Sequence, residues 1–504
     1  MHSSKAWTRC LVCFAGAILV PLVATAEERP NVVILLADDL GWADVGYHGS
    51  DIETPHIDAL AAGGVRLERM YVSPICSPTR AALMTGRDSL RLGIAYFPLM
   101  TWSNKAVSPK ERFLSQEFQA AGYQTGMVGK WHLGHSLEIH APNARGFDDY
   151  FGHLHTEVKY WEHTAPGGGH DLQHNGRSVR REGRYLTDVH GEEAARFIEE
   201  RDRSRPFFLY VPFLAPHSPM EAPKELVEKY AYRTDPTKRV FAAMVDSLDQ
   251  AVGTILDTLE SEGLADNTIV VFLSDNGGPL MAGAQNTPLR GGKMTTFEGG
   301  VRAVGMIRWP KTLTAGDVSE QVFSVMDLYP TLARAAGVPL ANERPLDGRD
   351  QWTILSAGTS EPREDDLFFT AESPTRDPYQ VAVISGHWKL IQQIDRRQTS
   401  MTVKNMLFDI QADPAEKNDV SAANPERVTD LAERIRVWRA LHPVAGQHVE
   451  IAPHPGWRSP KDWAAALLAT DDTILETGPV YQNQDVVLER LQKGYGDRGR
   501  VELD

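Results

Sequence analysis

The chain has 504 residues, 42% of them hydrophobic and 24% charged, and its formal net charge is −15 at pH 7. This length allows two or three domains with a substantial core, and the composition excludes a disordered polymer or a multi-span membrane protein. Because the negative charge repels nucleic acid and anionic lipid at long range, we expect neither as a partner, and an anionic substrate must be held by a local cluster of bases.

Residues 1–26 have the pattern of a secretory signal peptide. Lys5 and Arg9 form a short basic region, residues 11–23 are almost wholly apolar, and Ala24-Thr25-Ala26 is a small-x-small cleavage site. The apolar run is shorter than the roughly 20 residues that a spanning helix needs, so we expect no stable membrane insertion. The sequence predicts an exported protein, periplasmic or secreted after cleavage near Ala26.

Cleavage at that point would remove Cys10 and Cys13 and leave Cys76 as the single cysteine of the mature chain. One cysteine cannot form an internal disulfide. Cys76 is therefore either an inert buried thiol or a chemically special residue.

Residues 27–350 alternate short apolar runs with amphipathic stretches, which predicts an α/β domain with a large, mainly parallel sheet flanked by helices. Four runs are short, rich in branched or aromatic residues and without polar alternation, as in buried strands. They are residues 31–36, 124–128, 206–211 and 268–273. Helices are predicted after Thr54, with Pro55 in the first turn, and over residues 240–259.

Polar residues able to bind ligands or protons follow each of these strands. In strand order they are Asp38 and Asp39, then Lys130 and His132, then His217, then Asp275 and Asn276. Because the ligand crevice of an open parallel sheet lies outside the carboxyl ends of its strands, we expect these side chains to converge.

The acid and amide side chains of this set favour a hard divalent cation. Asp38, Asp39, Asp275 and Asn276 all offer oxygen ligands, which suit Ca²⁺ or Mg²⁺ better than Zn²⁺. Acids and asparagines after a strand more often form turns or helix caps. Two such pairs on separate strands shift the interpretation toward one cation.

Cys76 begins the run Cys76-Ser77-Pro78-Thr79-Arg80, in which the early proline predicts a helix start. Backbone amides at a helix N-terminus favour negative charge, and Arg80 lies one turn further on. Lys293 follows Gly291 and Gly292, which permit close approach of the backbone to a ligand. Taken singly, the lysines and histidines fit exposed loops, but together they predict an anion site beside the cation.

Beyond residue 350 the pattern changes to short strands joined by turns, with a helix over residues 425–439. This predicts a smaller C-terminal α+β domain over residues 351–445, with strands at 367–370, 379–384, 387–391 and 406–410. Residues 446–504 are predicted to form an extension that ends with a helix-like run at 486–492.

Cys76-Ser-Pro-Thr-Arg80, followed by Ala81-Ala-Leu-Met-Thr-Gly-Arg87, resembles the signature of the type I sulfatases, in which the cysteine is oxidised to formylglycine. Further motifs of that family occur in order along the chain. They are Ala37-Asp-Asp-Leu-Gly41, Gly129-Lys-Trp-His-Leu-Gly134, Ala215-Pro-His-Ser-Pro219, Ser274-Asp-Asn-Gly-Gly278 and Gly292-Lys293, with weaker matches at Leu407-Phe-Asp409 and Asp413-Pro-Ala-Glu-Lys-Asn418. The resemblance implies an alkaline phosphatase-like fold.

The resemblance also implies roles for the site residues. One Ca²⁺ per chain, with Mg²⁺ as the alternative, would be bound by Asp38, Asp39, Asp275, Asn276 and the modified Cys76. The sulfate would be surrounded by Arg80, Lys130, His132, His217 and Lys293, with His217 and Lys293 near the leaving oxygen. A sulfated carbohydrate substrate and a formylglycine-generating, sulfatase-maturing enzyme are the implied partners.

Within that family the closest resemblance is to N-acetylgalactosamine-4-sulfatases, also called arylsulfatase B. It is carried by Asp44-Val-Gly-Tyr-His-Gly-Ser50, Tyr71-Val-Ser-Pro-Ile-Cys76, Pro288-Leu-Arg-Gly291 and Glu298-Gly-Gly-Val-Arg-Ala-Val-Gly305. Departures are the missing disulfide cysteines, Phe297 in place of Trp, and the His-rich stretch 153–174. The resemblance implies exo-acting removal of 4-O-sulfate from chondroitin- or dermatan-type glycans, with residues 153–174 setting the sugar preference.

Two alternatives stay open from the sequence. One is a phosphonate monoester or phosphodiester hydrolase of the same superfold, which can share the formylglycine motif. The other is a non-catalytic protein that binds sulfated glycans and whose cysteine is never modified.

Overall fold

The computed structural model describes residues 29–468 except positions 97, 342, 373–376, 398–399, 443–452 and 454–455, together with the strand Thr477–Val480. The predicted signal peptide and the helix-like run at 486–492 lie outside the described residues. No helix in the described part is both long and apolar enough to cross a bilayer.

Thirteen strands lie among the described residues before position 350. In chain order β1 to β13 are Asn31–Ala37, Val65–Leu67, Met70–Tyr71, Gln124–Lys130, Asp149–His153, Gln173–His174, Arg177–Ser178, Phe207–Pro212, Thr268–Ser274, Arg302–Ala303, Gly305–Arg308, Asp317–Ser319 and Phe323–Ser324. Ten of them form one sheet in the order β12-β2-β11-β9-β1-β8-β4-β5-β6-β7, and β10, β3 and β13 form a small second sheet.

The five strands β9-β1-β8-β4-β5 at the centre of the large sheet run parallel, and β11 and β6 pair antiparallel with this block. The predicted strands at 31–36, 124–128, 206–211 and 268–273 correspond to β1, β4, β8 and β9. The prediction of a mainly parallel α/β sheet is therefore confirmed, with antiparallel additions at both edges.

Helices cover both faces of the sheet. In chain order α1 to α11 are Pro55–Ala62, Cys76–Thr85, Leu114–Ala120, Leu186–Glu199, Lys224–Lys229, Pro236–Ser261, Glu298–Val301, Leu328–Ala335, Trp352–Ala357, Pro425–Arg439 and Trp463–Leu468. The predicted helices after Thr54 and over 240–259 are α1 and α6. Thr54 does not cap α1, because its hydroxyl donates to Asp58 Oδ1 at 3.1 Å and accepts from the Gly46 amide.

Strand β1 shows why the predicted strands lack polar alternation. All seven of its residues are buried. Val33 and Leu35 pack in a core with residues of α1, α4 and α6, whereas Ile34 and Leu36 pack in a second core with residues of α2, α3 and α8. A strand covered on both faces needs apolar side chains at every position.

The smaller C-terminal unit has four antiparallel strands, β14 to β17, which are Leu367–Thr370, Tyr379–Ser385, Trp388–Asp395 and Thr402–Asp409. One face packs against α10 through residues such as Val383 and Leu431. The other face packs against the larger unit, with Ile391 in one cluster with Tyr71 and Val301. This is the predicted α+β unit, and its boundaries at 351 and 445 stay predictions. Beyond it, β18 is Arg458–Pro460 and β19 is Thr477–Val480.

A buried ion cluster joins the two units. Lys389 Nζ in β16 lies 2.8 Å from Glu298 Oε1 and 3.0 Å from Glu416 Oε1. All three residues have zero exposed surface. Burial alone would lower the pKa of Lys389, but the carboxylates of Glu298 and Glu416 outweigh burial and raise it. Lys389 therefore stays charged as the counterion of two buried acids.

Replacing Lys389 should destabilise the fold strongly. Lys389→Met leaves the carboxylates of Glu298 and Glu416 buried without their cation, a change that typically costs about 3–5 kcal/mol. Chemical denaturation measures the loss, with Lys404→Met as the control because Lys404 is exposed on the neighbouring strand. A loss below about 1 kcal/mol for Lys389→Met would contradict the importance of the cluster.

Candidate active site

The carboxyl ends of β1, β4, β8 and β9 bring the sequence-predicted residues together. The hydrogen bonding of the parallel strands continues past their ends, because the Asp38 amide donates to Ala215 O at 3.1 Å and the Asp275 amide to Ala37 O at 3.0 Å. The strand ends therefore stay aligned where the polar side chains begin. The chemical roles of these side chains remain predictions.

Arg80 is the central cation of the cluster. Its Nε and Nη2 atoms both donate to Asp275 Oδ2, at 3.0 and 2.9 Å. Nη2 also lies 3.2 Å from Asp38 Oδ2, with which Lys130 Nζ makes a close ion pair. Burial alone would raise the pKa of Asp38, but the charges of Lys130, His217 and Arg80 outweigh burial and lower it. Asp38 is therefore a buried carboxylate at neutral pH.

Lys293 enters the cluster from the loop after β9. Its Nζ lies 2.6 Å from Asp39 Oδ1, and Asn276 Nδ2 donates to the same oxygen at 2.7 Å. Asp39, His132 and Met294 all have positive φ angles, of 74°, 58° and 63°. Left-handed backbone in residues other than glycine concentrates at functional sites, where surrounding contacts hold the strained conformation.

The acidic part of the cluster fits a divalent cation. The Oδ1 atoms of Asp38 and Asn276 are buried and have no hydrogen-bond partner among the described residues. One atom each of Asp38, Asp39 and His217 lie within 4.8 Å of one another. Burial and the charge of Asp38 raise the pKa of Asp275, so these carboxylates repel one another. Unpaired acceptors among crowded carboxylates are the donor set of a hard cation such as Ca²⁺ or Mg²⁺.

The group within 4.8 Å differs from the predicted ligand set. It includes His217, which the sequence assigned to the sulfate, and it does not include Cys76 or Asp275. Cys76 and Asp275 remain predicted ligands, although neither belongs to the group whose atoms lie within 4.8 Å of one another.

Cys76 is the first residue of α2 and is buried, with 2% of its surface exposed. Its Sγ lies 3.4 Å from His132 Nδ1. His132 Nε2 lies 2.9 Å from Leu99 O, and because a carbonyl can only accept, Nε2 carries the ring proton. Burial, with the charges of Lys130 and Arg80, lowers the pKa of His132. His132 is therefore neutral, and its Nδ1 can accept a proton from residue 76.

Sequence reasoning missed Glu157, which contacts His217. His217 Nδ1 lies 2.7 Å from Ser218 O and 3.6 Å from Glu157 Oε2, which accepts a hydrogen bond from the Ser218 hydroxyl at 3.0 Å. The other ring nitrogen, Nε2, faces Asp39 Oδ2 at 3.7 Å. Glu157 lies inside the predicted sugar-selecting stretch, but a single glutamate in a His-rich loop carries no signal of its own.

The described part of the C-terminal extension packs on that same stretch. The Trp463 amide donates to His170 O at 3.0 Å, and its ring centre lies 4.0 Å from that of His155. His155 Nδ1 in turn lies 2.6 Å from Asp171 Oδ2. The extension thus forms part of the structure that supports residues 153–174.

Comparison with known proteins gives consistent matches. The family model described as Sulfatase matches residues 30–338. Arylsulfatase J of Mus musculus is 35% identical over 458 residues, covering 82% of this chain and 77% of the relative. N-acetylgalactosamine-6-sulfatase of Homo sapiens is 36% identical over 358 residues, covering 66% and 67%. The solved structure of Ps i-CgsB in complex with k-i-k-neocarrahexaose has a TM-score of 0.76 and 34% identity, covering 84% of this chain and 96% of that one.

Removal of divalent cations should destabilise the protein. A cation bound at 100 times its Kd contributes about 2.7 kcal/mol, so a chelator should lower Tm by roughly 3 °C, and Ca²⁺ or Mg²⁺ should restore it. Scanning calorimetry of the purified protein measures the shift.

Asn276→Ala should lose most of this cation-dependent gain in Tm, and Asn405→Ala on β17, outside the cluster, should keep it. A wild-type Tm that ignores both chelator and added cation would contradict the cation site.

Proposed function

The chain belongs to the sulfatase family, and we propose that it hydrolyses sulfate esters of sulfated carbohydrates with a formylglycine made from Cys76. The observation that carries the proposal is the position of Cys76. It begins a helix, contacts a neutral histidine and lies in the same buried cluster as Arg80, Lys130 and Lys293.

An unmodified thiol is poorly suited to attack a sulfate there. Burial raises the pKa of Cys76, so the neutral thiol predominates at neutral pH. Conversion to formylglycine and hydration would supply a hydroxyl nucleophile at this position, and a divalent cation held by Asp38, Asp39, Asp275 and Asn276 would polarise sulfuryl oxygens.

The basic side chains neutralise the substrate. A sulfate ester is anionic, so a nucleophile can approach sulfur only when fixed positive groups offset the charge on the sulfuryl oxygens. Arg80, Lys130 and Lys293 are held by the acids of the cluster, so little reorganisation accompanies the reaction. Arg80 and Lys130 have no exposed surface, so bulk water does not screen their charges.

The reaction needs a proton transfer at residue 76 and another at the leaving oxygen. His132 Nδ1 takes a proton from residue 76, since its Nε2–H already donates to Leu99 O. At the other end the S–O bond to the sugar breaks, and the leaving oxygen takes a proton from Lys293, which faces Asp39 together with His217. Burial and the charge of Lys293 lower the pKa of His217, so its ring is neutral and Lys293 is the proton donor. The sulfate held on residue 76 would then leave as its second hydroxyl loses a proton and the C–O bond breaks, which restores the aldehyde. The products are the sugar alcohol and inorganic sulfate, and the one water consumed is the water that hydrates the aldehyde.

For the substrate we propose a terminal 4-O-sulfated N-acetylgalactosamine of chondroitin- or dermatan-type glycans, cleaved in an exo manner. The arylsulfatase B-like motifs support the 4-O position, and the enclosed anion cluster favours a chain end. A second candidate is the 6-O-sulfate of the same sugar, because N-acetylgalactosamine-6-sulfatase is among the relatives. We also propose that the protein is exported and that a sulfatase-maturing enzyme modifies Cys76.

Cys76→Ala should abolish sulfate release and leave the fold intact, because alanine is tolerated at a helix start. The loss should exceed about 1,000-fold, since no other group supplies the nucleophile. Turnover of an aryl sulfate measures it, with Ser356→Ala on the distant helix α9 as control. Mass spectrometry of the wild-type peptide that contains residue 76 should show the aldehyde. Wild-type activity in Cys76→Ala would contradict the mechanism, and an unmodified cysteine in a protein that still binds sulfated glycans would favour the binding-protein alternative.

A substrate panel should separate the remaining alternatives. We expect sulfate release from terminal 4-O-sulfated N-acetylgalactosamine to exceed release from the 6-O isomer and from internal sulfates of intact polymer by about tenfold or more in kcat/KM. Ion chromatography of released sulfate measures this. Preference for the 6-O isomer would overturn the 4-O position alone, and faster turnover of an aryl phosphodiester or phosphonate monoester would overturn the sulfate specificity.

A further inference from the structure

A cavity of about 240 Å³ lies between the Lys293 loop and the smaller sheet. At about 30 Å³ for each water molecule it has room for roughly eight waters, which is the scale of one sugar ring. The residues that define its chemistry are Met294, Thr295, Asp377, Pro378, Gln380 and Gln393. None of them belongs to the anion cluster described above.

The cavity begins next to the reaction centre. Met294 directly follows Lys293, whose Nζ binds Asp39 at 2.6 Å. The Met294 amide donates to Pro74 O at 2.9 Å, two residues before Cys76. The backbone of Met294 therefore links Lys293 to the segment that leads into Cys76, so the cavity borders the loop that carries Lys293 into the anion cluster.

The smaller sheet supplies the polar wall of this cavity. Gln380 and Gln393 are register partners on β15 and β16, on the face that packs against the larger unit. Further along the same face, Ala382 and Ile391 are buried in the core. Gln380 Oε1 accepts a hydrogen bond from the Thr296 amide at 2.9 Å, which fixes the Lys293 loop to the sheet. The side-chain amide of Gln393 has no hydrogen-bond partner among the described residues.

The lining suits a sugar better than an apolar ligand. Amide, carboxylate and hydroxyl groups of Gln393, Asp377 and Thr295 can donate to and accept from ring hydroxyls. The side chains of Met294 and Pro378 offer apolar surface to the C–H face of a pyranose. Asp377 accepts hydrogen bonds from Arg396 at 3.1 and 3.2 Å, so its carboxylate is oriented and its charge is paired.

We propose that this cavity binds the sugar residue adjacent to the sulfated one, with Gln393 as a specificity-determining contact. The inference rests on the proposed sulfatase function and extends it. The terminal sulfated sugar occupies the anion cluster, and the next residue of the chain lies against the smaller sheet. The two units thus divide the substrate between them.

The strand itself offers a matched control. Gln392 precedes Gln393 and is also a partly exposed glutamine, but it points to the opposite face, where its Nε2 donates to Asn405 Oδ1 at 3.1 Å. Gln393→Ala should lower the ratio of kcat/KM for a sulfated disaccharide to kcat/KM for the corresponding monosaccharide by about fivefold to tenfold, mostly through KM, as expected for one lost hydrogen bond. Gln392→Ala should keep the wild-type ratio. Equal ratios in the two variants would overturn the inference, as would an equal loss on both substrates in Gln393→Ala.

A binding experiment separates this inference from the proposed function. In the Cys76→Ala background, calorimetry should show tighter binding of the sulfated disaccharide than of the monosaccharide, and adding Gln393→Ala should remove about fivefold to tenfold of that difference. Binding that follows this pattern, together with no sulfate release by the wild-type protein, would support the cavity and reject the proposed function. Equal affinities for the two saccharides in the Cys76→Ala protein would reject the cavity whatever the activity.

Discussion

The site depends on mutual charge compensation among side chains that have no access to water. Asp38, Asp275, Arg80 and Lys130 have no exposed surface, and each acid lies against a base. A single buried charge of either sign would be too costly to keep, whereas oppositely charged groups held by strand ends stabilise one another. The parallel sheet makes this possible, because it brings the ends of four strands to one edge and buries each strand on both faces. The proposed anion site and the proposed cation site are two consequences of the same arrangement.

A second buried cluster connects this centre to the smaller sheet. Glu298, the partner of Lys389, begins α7 only five residues after Lys293. The loop between them is held by a hydrogen bond from the Gly299 amide to Arg290 O at 2.7 Å and by one from Arg290 Nη1 to Glu416 O at 3.0 Å. The smaller unit therefore fixes the position of Lys293, although none of its residues belongs to the anion cluster. This explains why a sheet outside the reaction centre is part of the functional structure.

The parts of the molecule that we propose to select the substrate are less constrained. The relatives include an arylsulfatase and an N-acetylgalactosamine-6-sulfatase, so one sulfatase fold occurs in enzymes with different names and substrates. Here the surroundings of the centre combine the stretch 153–174, supported by Trp463, with the cavity wall that contains Gln393. The sequence of loops and domain borders can change without disturbing the buried charges. Substrate specificity can therefore change while the ion cluster stays the same.

The sequence by itself determined the central strands, the start of α2 at Cys76 and the convergence of Asp38, Lys130, His217 and Asp275. Local sequence patterns are enough to predict these features. Unbroken apolar runs indicate burial on both faces, and parallel strands place their carboxyl ends at one edge. The tertiary structure alone decided that Glu157 lies beside His217, that Lys389 neutralises Glu298 and Glu416, and that Trp463 packs on His155. Each of these contacts joins residues far apart along the chain, and their side-chain types are equally common on exposed surfaces. No local pattern distinguishes such residues, because their environment exists only after the sheet, the smaller unit and the extension have packed together.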